Sequence, residues 1–296
     1  MNHAPNGTRR TVVLTPCPPY SLRDSLIGNG GGTRRRRGGV WEIAVRVGDG
    51  SHIARVAQRR DGDLQIDLGG GDPGATLDQV RHVLATDVDH TPFLERFADD
   101  RLIGRAIRAR PGLRPIRFAT VGQSLVAAFA GQLVTAAEAQ NTHRAIVRRL
   151  DSGGQYPRRP PTAEEVAGLP PAAVAADGLT ARRAASLVRA CRRIDIDALR
   201  RLPTEEASTR LQAERDIGPW TAAIVLTSGL GRWELGPAGD LGLIRLCERL
   251  NGAEATVADT QALLAPYGEW QGLAGAHLLR LGRPGPKRKP PPRRRR

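Results

Sequence analysis

The chain has 296 residues, 40% of them apolar, and its 45 lysines and arginines outnumber its 30 aspartates and glutamates to give a net charge of +15. That length suggests two domains, and the apolar content is sufficient for their cores. No apolar run approaches the roughly 18 residues of a membrane span, and the first ten residues lack the apolar segment of a secretory signal. Three scattered cysteines (Cys17, Cys191 and Cys247) exclude a C-x-x-C pair and a disulfide framework. We therefore expect a cytoplasmic protein without a metal centre.

The basic residues are almost all arginine. Lys287 and Lys289 are the only lysines, so residues 1–286 contain neither a Walker-type phosphate loop nor a lysine Schiff base. Residues 283–296 carry eight basic side chains and no acid, and residues 34–37 are four consecutive arginines. This excess of positive charge favours nucleic acid over a membrane as the binding partner, because no amphipathic segment accompanies the basic residues. The alternative is a solvated tail that only improves solubility.

The first part of the chain has strand periodicity. Residues 11–14 are rich in β-branched side chains, and residues 40–47 and 64–68 alternate or nearly alternate between apolar and polar. Such alternation is typical of half-buried antiparallel strands. From about residue 76 the period becomes helical, with Leu77, Val80, Val83 and Leu84 on one face. The pattern predicts a small α+β domain over residues 11–110, after a disordered N-terminus over residues 1–10.

The rest of the chain has helical patterns. Thr91 and Pro92 are predicted to cap and start one helix, residues 120–131 and 134–150 form two more, and residues 162–165 match a capping box. Thr180 and Thr204 are expected N-caps. We predict an all-helical domain over residues 111–282, followed by a disordered basic tail over residues 283–296 with prolines among its charges.

A glycine-rich segment at residues 69–74 formally matches the dinucleotide pattern G-x-G-x-x-G. A dinucleotide site would follow a buried parallel strand, but Leu64, Ile66 and Leu68 alternate with polar residues, and Pro73 interrupts the entry to the helix. A tight turn is therefore favoured over a nucleotide-binding enzyme.

The most informative segment begins at residue 211. Residues 211–215 should end one helix, Asp216, Ile217 and Gly218 form a tight turn, and Pro219 starts the next helix, giving a hairpin over residues 211–226. The free N–H groups at such a helix start can bind a phosphate. Asp240 then stands at the start of a further apolar helix, where an ordinary N-cap is the simple alternative to a catalytic role.

These residues carry a family resemblance. Residues 217–222 (IGPWTA), followed by Pro237, Gly239, Asp240 and Leu241, resemble the signature of the helix-hairpin-helix DNA glycosylase superfamily, and within it the 3-methyladenine DNA glycosylase II (AlkA-like) branch. Residues 109–114 and 131–135 are similar to that branch's entry to the helical domain, and residues 18–20 to the start of its α+β domain. The resemblance implies a TATA-binding-protein-like antiparallel sheet with helices, then an all-α helix-hairpin-helix glycosylase domain.

The resemblance also implies an activity. A glycosylase flips a nucleotide out of the duplex and breaks its bond to C1′ through an oxocarbenium-like transition state that a carboxylate stabilises. Asp240 matches the family's catalytic aspartate. Relatives that also cut the strand have a lysine where this chain has Trp220, so we expect a monofunctional hydrolase that removes alkylated purines such as 3-methyladenine and 7-methylguanine. Three cysteines are too few for the iron–sulfur cluster of some relatives.

Further roles follow from matched positions. Trp220 and Trp270 would stack on the base, while Ile224 and Leu241 replace two pocket aromatics of the branch. Expected DNA contacts are the wedge Leu133, its neighbour Gln132, and the hairpin residues Ile217, Gly218 and Thr221. No cofactor is expected beyond a possible sodium or potassium ion on hairpin carbonyls. The expected partner is double-stranded DNA with alkylated bases, bound by a monomer at the nucleoid.

Two departures keep an alternative open. Asp216 stands where the hairpin normally begins with glycine, and an acid there disfavours phosphate binding unless its side chain caps the following helix. An expected N-terminal phenylalanine corresponds to Gly28, and only 4% of the chain is aromatic. The alternative is a non-catalytic module that binds or senses DNA lesions.

Overall fold

The computed structural model describes residues 10–281 except residues 27, 29 and 155. The N-terminal segment before residue 10 and the basic tail, which we expected to be disordered, lie outside the described residues. No helix within the described range is long and apolar enough to cross a membrane.

The N-terminal part is built on one antiparallel sheet of five strands in the order β1-β5-β4-β3-β2. Alternating apolar residues place one face of the sheet against α2, where Val80, Val83 and Leu84 pack on Ile43 and Val45. This confirms the predicted helical face. The strands are β1 Arg10–Leu14, β2 Arg34–Arg37, β3 Val40–Val47, β4 Gly50–Gln58 and β5 Leu64–Leu68.

The four-arginine run is strand β2, which the sequence did not predict. It pairs with β3 in the register Arg34↔Ile43 to Arg37↔Val40. Arg34 is buried, and Arg35 forms an ion pair with Glu42. Because backbone pairing and a cross-strand acid partner hold the run in place, only its last two arginines are exposed.

The remaining elements of the described chain are helical. Two 3₁₀ segments (Gly30–Gly32 and Ala265–Trp270) and a π-helical turn (Leu226–Leu230) interrupt or extend them. The α-helices are α1 Leu22–Ser25, α2 Pro73–Leu84, α3 Thr91–Arg96, α4 Gly104–Ala109, α5 Val121–Gly131, α6 Ala136–Leu150, α7 Ala163–Ala167, α8 Pro171–Ala176, α9 Ala181–Arg193, α10 Ile196–Arg201, α11 Thr204–Gln212, α12 Pro219–Val225, α13 Leu241–Asn251, α14 Val257–Leu264 and α15 Gln271–Leu281.

Local capping follows the sequence at two of the four predicted threonine caps. Thr162 forms the predicted capping box with Glu165, and Thr180 caps α9 through the Arg183 N–H. Thr91 and Thr204 are the first helical residues rather than the caps, because His90 and Pro203 occupy those positions. The glycine-rich segment is a turn after an antiparallel strand, in which the carboxylate of Asp72 caps α2. These features match the tight turn and not a dinucleotide loop.

Buried apolar side chains form three clusters. One lies between the sheet and α2, and a second fills the centre of helices α5 to α12. The third joins α3 and α4 to α13, α14 and α15, so that Phe93 and Ile107 pack with Leu243 and Leu278. Residues 85–107 therefore share a core with residues 233–279, although the domain boundary near residue 110 stays a prediction.

Candidate active site

A cleft of about 1020 Å³ opens between three segments that are distant in sequence. Its walls are the link from α5 to α6, the turn before α12 and one face of α13, and the N-terminal end of α9 closes one side. The site residues that line it include Gln132, Leu133, Gly218, Trp220, Thr221, Asp240 and Leu241. The fold thus brings together most of the residues that the sequence selected.

Asp240 is both an N-cap and a wall of the cleft. One carboxylate oxygen, Oδ1, accepts the Gly242 N–H at 2.7 Å and so caps α13. The other, Oδ2, accepts the indole Nε1–H of Trp220 at 3.1 Å. The preceding Gly239 has φ +83° and donates its N–H to Thr260 Oγ1 at 2.8 Å. Two fixed donors therefore orient the carboxylate inside the cleft.

Trp220 lies in the first turn of α12, between the end of α5 and Asp240. Gly131, the last residue of α5, makes room for the indole, since a Cβ at that position would stand 2.9 Å from Trp220 Cη2. A larger residue at 131 would displace the ring. The tryptophan is thus held by backbone on one side and by a carboxylate on the other.

Leu133 stands on the rim of the cleft and is 85% exposed. Its φ of +54° is a left-handed conformation that a branched residue seldom adopts. The neighbouring Gln132 holds this segment: its Nε2 donates to Asp216 O at 2.9 Å and to Thr221 Oγ1 at 3.1 Å, and its carbonyl accepts Arg183 Nη1 at 2.8 Å. The NH₂ group of Gln132 is engaged inside the protein, and its contact with DNA stays a prediction.

The turn between α11 and α12 exposes Gly218, which has no side chain, and buries the side chains of the two other predicted contact residues. Gly218 is the N-cap of α12 and makes no side-chain capping bond, with Pro219 at the helix start. The side chains of Ile217 and Thr221 are buried, at 4% and 3% exposure. A phosphate contact by Ile217, Gly218 or Thr221 would therefore use backbone N–H groups, while the exposed Arg215 in the same turn offers a side chain.

Asp216 takes a left-handed conformation, with φ +66°, at the position normally occupied by glycine. Its carboxylate does not cap α12. Instead Oδ1 pairs with Arg182 Nη2 at 2.5 Å, and Ser186 Oγ donates to Oδ2 at 2.5 Å. These bonds to Arg182 and Ser186 lower the pKa of Asp216 to about 2. Since the acid is paired with α9, its charge does not stand alone beside the turn.

Two predicted pocket residues lie elsewhere among the described residues. Trp270 does not line the cleft and packs on Phe93, with ring centroids 6.0 Å apart. Ile224 also lies outside the lining and packs against the central helical cluster. Leu241, by contrast, lines the cleft and is 39% exposed. Of the predicted base-stacking pair, the structure puts only Trp220 in this cleft.

Four arginines line the cleft that the sequence did not single out: Arg182, Arg183, Arg245 and Arg249. Arg245 and Arg249 follow Leu241 at steps of four residues along α13, so they share its face. That spacing would have selected them once Asp240 was placed at the start of α13. The arginines give an anion-attracting border to a cleft that holds one oriented carboxylate.

Comparison with known proteins finds sequence relatives that are named for DNA repair. No family model matches the chain. It is 28% identical over 207 residues to the DNA-3-methyladenine glycosylase of Bacillus subtilis (strain 168), which covers 66% of this chain and 68% of that protein. It is 27% identical over 219 residues to the probable bifunctional transcriptional activator/DNA repair enzyme AlkA of Mycobacterium tuberculosis (strain H37Rv), or 68% of this chain and 44% of that relative. The chain therefore matches less than half the length of the second relative.

Solved structures show the same fold. The 3-methyladenine DNA glycosylase from Archaeoglobus fulgidus superposes with a TM-score of 0.76 at 20% identity, over 91% of this chain and 97% of that one. The 8-oxoguanine glycosylase/lyase of Clostridium acetobutylicum superposes with a TM-score of 0.73 at 14% identity, over 92% and 96% of the two chains. The mixed helical structure with its five-stranded antiparallel sheet is thus a DNA glycosylase fold. The sequence relatives, named as a DNA-3-methyladenine glycosylase and as a DNA repair enzyme AlkA, support a place for this chain in the AlkA-like glycosylase superfamily.

Proposed function

We propose that this protein is a monofunctional DNA glycosylase that removes alkylated purines, of the 3-methyladenine and 7-methylguanine type, from duplex DNA in base excision repair. The observation that carries the proposal is the contact between Trp220 and Asp240 in the wall of a cleft with Leu133 on its rim. An aromatic face that stacks on a flipped base, an oriented carboxylate and an exposed apolar wedge are groups suited to base flipping and excision. The relative named as a DNA-3-methyladenine glycosylase and the one named as a DNA repair enzyme AlkA support the same activity.

Flipping is assigned to Leu133. Its exposed side chain would enter the base stack and occupy the gap that the flipped nucleotide leaves, as apolar wedges do in other DNA-bending proteins. Since the segment is held by Gln132 and Arg183, the wedge would keep its position against the duplex. The flipped base would then enter the cleft next to Trp220.

Excision is assigned to Asp240. As the C1′–N bond breaks, the electron pair leaves with the base and positive charge develops on the sugar. The carboxylate of Asp240 would stabilise that charge and orient a water, whose oxygen bonds to C1′ while its proton passes to the carboxylate and then to solvent; a cationic alkylated purine leaves with the electron pair as the neutral base. The Trp220 ring face would bind a cationic alkylated purine by about 0.5–2 kcal/mol. The product is an abasic site in an intact strand.

Strand cleavage is not part of the proposal. Lyase activity of this kind proceeds through an amine that attacks C1′. Trp220 occupies the hairpin position where the resemblance places a lysine in such relatives, and residues 1–286 contain no lysine. This supports water as the nucleophile.

The same proposal covers the finer architecture. The sheet with α2 would be the TATA-binding-protein-like domain of the family, and α11 and α12 would be its hairpin. The N–H groups following Gly218 would bind a DNA phosphate. A sodium or potassium ion could be held by turn carbonyls such as those of Glu214 and Asp216, each of which accepts one hydrogen bond and retains a second lone pair. The ion would stabilise the turn, and no chemical step needs it.

We propose as partner double-stranded DNA with alkylated bases, bound by a monomer at the cytoplasmic nucleoid. The neutralised charge of Asp216 supports DNA binding by the turn. The cleft accommodates one nucleotide and its border is basic, which is consistent with a single flipped base and its phosphates.

The deciding experiment is base release from randomly methylated duplex DNA by the intact chain and by Asp240→Asn. Asparagine also caps a helix well, so the variant should fold while its rate falls about 10²–10³-fold. Asp195→Asn is a matched control, because Asp195 is the N-cap of α10 and lies outside the cleft. Breaks that appear only after alkali would support the hydrolase. Breaks without alkali would contradict it, and tight DNA binding without base release would favour the lesion-sensing module.

A further inference from the structure

A row of side chains leads out of the cleft along α6. Ala136 lines the cleft, and residues at steps of four from it lie above one another on the same face of the helix. Those residues are Gln140, Arg144 and Arg148, and all three are exposed. The cleft wall therefore continues directly into a basic helix face.

The row then meets the N-terminal part of the molecule. A Cβ on Gly32 would lie 3.9 Å from Arg144 Cγ and 4.0 Å from Arg158 Cδ, so both arginines flank the 3₁₀ turn that precedes β2. The Arg158 N–H donates to Gly32 O at 2.9 Å, and Tyr156 Oη donates to Arg34 O at 3.3 Å. These contacts join the end of α6 to the four-arginine strand.

We define the basic strip as Arg36, Arg37, Arg144, Arg148 and Arg158. Glu42 beside it is paired with Arg35 and Arg55, and Asp151, whose Oδ2 accepts the Arg159 backbone N–H at 2.9 Å, adds one negative charge against the five arginines. The strip therefore keeps an uncompensated positive charge at its surface, which favours a polyanion.

Its dimensions match a duplex. From Ala136 to Arg148 the helix rises about 18 Å at ~1.5 Å per residue. That length corresponds to about five base-pair steps of ~3.4 Å. A DNA strand that leaves the cleft along α6 would thus pass arginines over half a turn of duplex.

We propose that the basic strip binds the phosphates of the duplex on one side of the lesion, beyond the nucleotide held in the cleft. This inference rests on the proposed function, since it takes the cleft as the place of the flipped base. In this proposal the exposed end of β2, Arg36 and Arg37, binds DNA phosphates. Arg34 and Arg35 instead hold β2 against the rest of the protein. It adds sequence-independent affinity and leaves the chemistry to Asp240.

The test uses the full chain and a duplex with a tetrahydrofuran abasic-site analogue at its centre. A second duplex has uncharged methylphosphonates in place of all phosphates beyond about the third base pair on each side. The variant is Arg36→Gln with Arg144→Gln and Arg148→Gln. The matched control replaces three exposed arginines outside the strip and the cleft by glutamine, namely Arg60, Arg201 and Arg210.

The wild-type chain should bind the natural duplex more tightly than the methylphosphonate duplex, and this difference in affinity should be smaller for the strip variant than for the control. The slope of log Kd against log salt should be shallower for the strip variant by about 2–3, at roughly 0.9 per phosphate contact. Base release at saturating protein should be unchanged. The proposed role of the strip would be overturned if the strip variant lost equal affinity for both duplexes, or if the variant and the control lost equal affinity. Absence of any lesion-dependent binding or base release by the wild-type chain would instead contradict the proposed function.

Discussion

At the scale of single residues, the main feature is the carboxylate of Asp240, which makes two different hydrogen bonds. Asp240 caps α13 with Oδ1 and accepts the Trp220 indole with Oδ2. The sequence presented an N-cap and a catalytic acid as alternatives, and the geometry makes them compatible because each role uses a different oxygen. Trp220 can therefore position the acid through its ring nitrogen while its ring face remains a stacking surface.

We expect Trp220→Phe to separate these two functions. Phenylalanine keeps an aromatic face but has no N–H for Asp240, and a hydrogen bond to a charged group is worth about 1.5–3 kcal/mol. The single-turnover rate of base release should fall about 10- to 100-fold, with affinity for an abasic-site duplex nearly unchanged. Trp270→Phe is the control, since Trp270 does not line the cleft. A large loss of affinity with an unchanged rate would show that Trp220 only stacks.

Leu133 permits a prediction in which stability and activity move apart. Its left-handed backbone costs about 1–2 kcal/mol for a non-glycine residue, and its side chain is 85% exposed. Leu133→Gly relieves that backbone strain, and it loses no buried contact because the leucine side chain is exposed. The glycine variant should therefore be at least as stable as Leu133→Ala in urea unfolding. Both variants should release bases about tenfold more slowly, because neither can fill the stack. Normal activity in either variant would remove Leu133 as the wedge.

At the scale of elements, the turn between α11 and α12 depends on α9. Asp216 has a folded-state pKa of about 2 against an ordinary value of 3.8, and the Arg182 and Ser186 hydrogen bonds are the leading cause. A lowered folded-state pKa contributes stability above the unfolded value, and that stability is lost as the pH falls through the folded value. The turn should therefore weaken in acid.

Asp216→Asn tests this coupling, because asparagine tolerates the left-handed conformation but carries no charge. Urea unfolding should show the variant less stable than the wild type near neutral pH, with a gap that closes as the pH falls from about 4 to about 2. Asp197→Asn, at an exposed pair with Arg200, should show little gap at any pH. A gap that is constant with pH would assign the effect to shape and not to charge.

At the scale of the whole molecule, the last described helices share their core with the segment that follows the sheet. Phe93 of α3 packs on Phe97, Trp270 and His277, with centroid distances of 5.3, 6.0 and 5.7 Å. The same cluster contains Leu243 of α13, the helix that Asp240 caps. The position of the carboxylate therefore depends on residues about 150 positions earlier.

Phe93→Ala should destabilise the protein by about 3–5 kcal/mol, since it removes a fully buried aromatic ring. Base release should lose its heat resistance in parallel, because α13 loses part of its support. Val13→Ala, at an exposed site on β1, should change stability by less than about 0.5 kcal/mol. Thermal unfolding followed by tryptophan fluorescence, with activity after heating, measures both. A stable Phe93→Ala variant would mean that the third cluster does not support the site.

Features determined by neighbours in the chain were predictable from the sequence. Periodicity gave β1, β3, β5 and the buried face of α2, and the capping box at Thr162 needs only four residues. Strands β2 and β4 were missed as separate elements, since four arginines or a mixed polar segment have no strand pattern of their own. These two segments become strands because they pair with β3, and that pairing is a tertiary contact.

By itself the sequence determined the chemical inventory: an aspartate at a helix start, a tryptophan at the hairpin position, and no lysine before residue 287. Only the tertiary structure decided how these groups act, because hydrogen bonds join them across 20 residues for Trp220 and Asp240, 34 for Arg182 and Asp216, and 84 for Gln132 and Asp216. Packing also separated Trp270 from the cleft and brought four arginines to its border. Local patterns fix which groups a chain carries, whereas their distances depend on how its elements pack.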